Sequence, residues 1–148
     1  MLRLVALSLV VLGVLAAAVA AAGGAPPQAR IGVVCPGANG PVHGGTVRPT
    51  TIMLACADGN LWIGGLRWKG WGTPTATAAG TVHYNDCTPY CAAGHFHIAP
   101  GTATLSGLRI GSCFRLTRVP VYTRLRVVAA GRGKHLPPPV SESLPAHC

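Results

Sequence analysis

Acidic side chains are almost missing from this sequence. Asp58, Asp86 and Glu142 are its only three in 148 residues. That scarcity bears on whole classes of chemistry. Glycoside hydrolysis ordinarily sets two carboxyl groups across one bond. Only Asp58 and Asp86 lie within the expected fold, and Asp58 is better explained as a turn residue. A calcium cage, with about six to eight oxygen ligands, is equally hard to assemble. A Ser-His-Asp triad could draw on Ser106 or Ser112 with Asp86, but no G-x-S-x-G elbow is present to present the serine. Aromatics are also few, three Trp, three Tyr and two Phe, so a core built largely from Ala, Val and Leu needs staples. No stretch beyond the N-terminal apolar run keeps helical periodicity for more than about two turns. No internal repeat is found.

The long apolar run stands at the N-terminus. Met1-Leu2-Arg3 is a short cationic start, Leu4 to Ala22 carries no charge, and Ala20-Ala21-Ala22 suits a small-residue cleavage site. Residues 1–22 are expected to be a secretory signal peptide; the competing reading is an uncleaved anchor. After cleavage no transmembrane segment would remain. All six cysteines, Cys35, Cys56, Cys87, Cys91, Cys113 and Cys148, follow the run. An even count in an exported chain points to disulfides. Spacing does not choose among the pairings; Cys148 is assigned to Cys35, to tie down a tail poor in apolar residues. The spacing Cys87-x-x-x-Cys91 is not that of thiol oxidoreductases.

The remainder reads as all-β, a small antiparallel sandwich or barrel stapled by disulfides. Residues 23–50 form a Gly/Pro-rich segment, 51–130 the β domain and 131–148 a Pro-rich tail of extended chain. Alternation marks strands at Thr51–Cys56, Leu61–Trp68, Thr75–Tyr84 and His95–Leu105, the last interrupted at Pro100-Gly101. Asp58-Gly59-Asn60 signals a hairpin turn, and Gly64-Gly65 a bulge. Phe114–Val119 and Val121–Ala129 are expected to pair with each other, turning near Pro120.

The elements Cys56-Ala-Asp-Gly-Asn60, Gly65-Leu-Arg-Trp68, Trp71-Gly72, Asn85-Asp-Cys-Thr-Pro89, Cys91-Ala-Ala-Gly94 and Tyr122-Thr-Arg-Leu125 resemble those of a group of small secreted actinobacterial proteins without known activity. The resemblance covers about half of the chain after residue 22. It implies secretion and a disulfide-bonded fold, and brings no catalytic residue with it.

Three constellations could carry function. His83, His95 and His97 would lie on one face if strands 75–84 and 95–105 paired in the right register, forming a three-histidine site for zinc or copper and opening a metal-dependent hydrolase as an alternative. A one-residue slip would separate them. Trp68 and Trp71 could form a stacking platform, or else pack into the core. Arg109, Arg115, Arg118, Arg124 and Arg126 concentrate late in the chain, and guanidinium forks suit phosphate and carboxylate. Twelve Lys/Arg give a formal net charge of +9, which favours an anionic partner. Export makes nucleic acid improbable; an anionic envelope polymer, a lipid headgroup or an acidic protein fits better. The leading expectation is a secreted, non-catalytic binding module. A cationic antimicrobial protein is a further alternative.

Overall fold

A computed structural model describes residues 28–32, 45–113, 115–131 and 136–148. The expected signal peptide and Cys35 lie outside the described residues. Among those described, nine strands are present: β1 (Arg30–Ile31), β2 (Thr51–Met53), β3 (Leu61–Lys69), β4 (Ala76–Asn85), β5 (Phe96–Ser106), β6 (Arg109–Cys113), β7 (Leu116–Tyr122), β8 (Arg124–Ala129) and β9 (Val140–Ser143). One 3-10 turn, Cys91–Ala93, interrupts them. No helix among the described residues is long and apolar enough to cross a membrane. The all-β expectation holds.

Six strands form an antiparallel sheet in the order β2-β3-β4-β5-β8-β9, and three form a second sheet, β1-β7-β6. Alternation fixes which face of the large sheet is covered. Ala76, Ala78, Val82 and Tyr84 of β4 are buried, as are Ala99, Ala103 and Leu105 of β5 and Leu125 and Val127 of β8. Ile31 of β1 and Tyr122 of β7 join the same apolar cluster, so the small sheet packs on this inner face. Val119, Val121 and Cys113 form a second cluster on the other side of the small sheet.

Two glycines set the face that β3 presents. The β3–β4 register shifts between Gly64 and Arg67, and Gly65 adopts φ +66°, a conformation glycine takes without steric cost. The bulge moves the following residues to the other side. Leu66 becomes buried and Trp68 half-buried, while Arg67 and Lys69 face solvent. The expected bulge is thus present, and it decides where two cations go.

β5 runs unbroken through Pro100, which pairs with Thr81. Proline lacks an N–H, yet pairing with β8 reaches only to Gly101, so no ladder bond is lost from a paired position.

The expected pairing of 114–119 with 121–129 is corrected. Pro120 lies inside β7 opposite Ile110, and β7 and β8 belong to different sheets. The chain changes sheet at Thr123 instead. Its N–H donates to the Ser106 carbonyl, its carbonyl accepts from Leu144 N–H, and its hydroxyl donates to the Gly107 carbonyl. Every polar group at this buried corner therefore has a partner, as burial demands. The tail is also more structured than composition suggests: Val140–Ser143 adds to the edge of β8.

Cys148 bonds Cys113, not Cys35. The reason is local. Residue 147 bridges Ser112, and Cys148 N–H donates to the Ser112 carbonyl, which lays the C-terminus along β6. Cys87 bonds Cys91, and Cys56 is also disulfide-bonded.

Tyr122 joins the two sheets to the β3–β4 turn. Its side chain is fully buried. Its hydroxyl donates to the Thr73 carbonyl and accepts from Gly72 N–H, while its ring packs edge-on against Trp71. Tyr122→Phe removes the hydroxyl and leaves both turn groups without it. A loss of about 1–3 kcal/mol is expected in denaturant titration; an unchanged midpoint would mean that water replaces the hydroxyl without cost.

Candidate anion-binding face

The outer face of the six-stranded sheet is built by register. Lys69 lies opposite Thr77, Thr77 opposite Thr104, Thr104 opposite Arg126 and Arg126 opposite Ser141. These five side chains form one row across β3, β4, β5, β8 and β9. One step along the strands, Ser106, Arg124 and Ser143 form a second row. One step the other way, Arg67 lies opposite Ala79, which lies opposite Thr102. Four exposed cations, Arg67, Lys69, Arg124 and Arg126, therefore share one face.

The two arginines of β8 flank a shallow cavity of about 320 Å3, bordered by Thr104, Ser106, Ser141 and Ser143. Guanidinium forks supply charge and paired N–H donors, and hydroxyls supply further donors around them. Glu142 also borders the cavity, but it stands opposite buried Leu125 rather than in the arginine rows. Among the described residues, neither Arg124 nor Arg126 is held in an ion pair. Two guanidinium groups with no carboxylate of the described residues on them, set among hydroxyls, are chemically able to take an anion.

No protein-family model matches the chain, and no curated protein or solved structure is detectably similar to it.

Of the five late arginines, only Arg124 and Arg126 share this face. Arg109 and Arg118 belong to β6 and β7 of the small sheet, and Arg115 sits in the turn between those strands. Arg118 is the extra residue of a β6–β7 bulge, where pairing passes from Val119 to Thr117, and its φ is +57°. Arg67 and Lys69 were missed by sequence reasoning. Their alternation was visible, but the face they occupy depends on the bulge before them.

The three histidines do not share a face: His95 and His97 both approach Asp86, at 3.9 and 3.0 Å, and His83 stands apart on the other side. His83 pairs with Ile98, and His97 with Tyr84, so β4 and β5 present His83 outward and His97 inward. This is the one-residue slip that alternation makes decisive. His83 stacks on Trp62 with ring centroids 4.6 Å apart and nearly parallel planes. His97 stacks on Tyr84 instead. Among the described residues no group of three His, Cys, Asp or Glu side chains is arranged to hold a metal ion.

Asp86 organises the β4–β5 loop. Its Oδ1 accepts from Thr88 N–H and His95 N–H, and its Oδ2 lies 3.0 Å from His97 Nε2. An ionised carboxylate only accepts, so Nε2 carries the proton. His97 first, then the two backbone N–H groups, hold the carboxyl well below its ordinary value of 3.8. A depressed carboxyl stabilises the fold above its ordinary value, and the contribution is lost as pH falls towards the folded-state value. The loop is therefore expected to keep slow amide exchange at Thr88 and His95 from pH 7 to 5, and to loosen below about pH 4. Asp86→Asn should show the loosened pattern already at pH 7. Exchange in the variant that matched the parent at pH 7 would show that the charge plays no part.

Ser112 Oγ lies 2.8 Å from His147 Nδ1, a pair that sequence reasoning did not anticipate. Asp86, the acid proposed for a triad with Ser112, bonds His97 in the other sheet's loop. Trp68 and Trp71 pack against the core and donate their indole N–H groups to the carbonyls of Pro49 and Ala29. Both rings contact each other edge-on at 5.1 Å, so they tether the preceding segment to the sheet.

Proposed function

We propose that this chain is a secreted, non-catalytic binding module whose basic sheet face takes an anionic partner. The β architecture, the disulfides and the scarcity of acidic side chains support that reading. One observation carries it: Arg67, Lys69, Arg124 and Arg126 stand in register on one face, among Thr and Ser hydroxyls. Cations spread for solubility alone would need no shared face. Lys69 and Arg126 are three strand spacings apart, about 14–15 Å. That span favours a partner with repeated anionic groups over a single small anion.

The test is retention of the natural-length secreted protein on immobilised polyphosphate across a salt gradient. Exposed charges are screened over about 8–10 Å near physiological salt, so retention should fall steeply as salt rises. Retention unchanged from low to high salt, or no retention at low salt, would reject an electrostatic partner.

A further inference from the structure

The four cations occupy only one end of the outer face. Towards the other end of the same strands, Met53 lies opposite Trp62, Trp62 opposite His83 and His83 opposite Ile98. This row spans β2 to β5 and points outward. Phe96 lies diagonally from it, with its ring centroid 5.6 Å from that of Trp62. Phe96 is 57% exposed and Ile98 69% exposed, unusual for large apolar side chains grouped together on one surface. Trp62 and His83 stack on each other across neighbouring strands, so the Trp62 face turned to His83 is covered. The row is better suited to insertion as a ridge than to serving as a flat platform for a sugar.

Ridge and cations are two parts of one surface. Ile98 and Thr104 lie six residues apart on β5, about 20 Å, and Pro100 and Thr102 continue the same outward face between them. Asp58 and Asp86, at the ridge end, stay ionised but lie outside the outward row. Asp86 is bonded to His97, on the inward side of β5, and Asp58 is bonded by Asn60 within its turn.

A soluble polyanion would engage the cations and leave Phe96 and Ile98 in water. An anionic bilayer satisfies both ends: phosphate headgroups meet the cations, and apolar side chains enter the boundary with the acyl chains. We infer that this face docks on an anionic lipid bilayer, with Arg67, Lys69, Arg124 and Arg126 at the headgroups and Phe96, Ile98 and the Trp62 edge inserted. The inference rests on the proposed anion-binding role and names its partner.

The test compares three probes with the disulfide-bonded protein: vesicles of phosphatidylglycerol and phosphatidylcholine, vesicles of phosphatidylcholine alone, and soluble polyphosphate. Co-sedimentation should favour anionic over neutral vesicles by about six hundredfold, from about fivefold for each of the four cations. Phe96→Ser with Ile98→Ser should lower anionic-vesicle binding at least about tenfold and leave polyphosphate binding unchanged; the latter also reports that the variant is folded. The parent protein supplies a second measurement. Lipids brominated near the headgroup should quench its tryptophan fluorescence, and Trp62→Phe should abolish most of that quenching. Vesicle binding insensitive to the double substitution, or tryptophan left unquenched, would overturn insertion. Binding to polyphosphate without binding to vesicles would assign the face to a soluble polyanion. Binding to none of the three would remove the anionic partner altogether.

Discussion

Arg124→Gln with Arg126→Gln is expected to lower affinity for an anionic surface about thirtyfold while leaving the thermal midpoint unchanged. Each cation near an anionic surface contributes about 1 kcal/mol, and about 1.4 kcal/mol is tenfold in affinity. Both side chains are exposed on β8 and neither is held in an ion pair among the described residues, so glutamine removes charge without stranding a partner. The strand itself is held by the buried side chains of Leu125 and Val127. Arg109→Gln with Arg118→Gln is the matched control. It removes the same net charge from the small sheet, so a uniform field would weaken binding as much as the β8 pair does. A local site would not respond equally. Equal losses in the two variants would refute the site while leaving a generally basic protein that sticks to anions.

The contrast between those pairs shows what was legible in the sequence. Strand alternation was, because the burial of every second residue leaves a pattern in β4, β5 and β8 without knowledge of their neighbours. The bulge at Gly64-Gly65 was legible too. Its consequence was not: only the shifted register with β4 turns Leu66 inward and sends Arg67 and Lys69 to the basic face. Register itself was the second blind spot. His83 and His97 each lie on an alternating strand, yet which of them shares a face with which depends on a loop of residues 86–95 whose geometry is set by Asp86 and the Cys87–Cys91 bond. The third was topology. Pro120 resembles a turn signal, whereas the chain actually changes sheet at Thr123. That corner is stabilised by partners at Ser106, Gly107 and Leu144, which no local pattern announces. For the same reason the five late arginines, close in sequence, separate in space: β7 and β8 diverge into different sheets.

Replacing Cys113 and Cys148 with serine should cost more stability than replacing Cys87 and Cys91. The two bridges close loops of very different size, with sequence separations of 35 and 4. In the chain-entropy account the first restricts the unfolded chain by about 4 kcal/mol and the second by about 2 kcal/mol. The longer bridge also has a packing role. Cys113 is fully buried with Val119 and Val121, and Cys148 packs against them, so serine places hydroxyls in an apolar cluster with few other members. The loss should be uneven across the molecule, because contiguous units open separately. Amides of β6, β7 and residues 144–148 are expected to exchange faster, whereas β3, β4 and β5 keep their protection through the larger core. β8 is held between β5 and β9, so the basic face should survive and polyphosphate retention at 25 °C should persist. Uniform acceleration across both sheets would mean that the small sheet is integral to a single cooperative unit. Equal costs for the two bridges would show that loop closure does not govern their contribution.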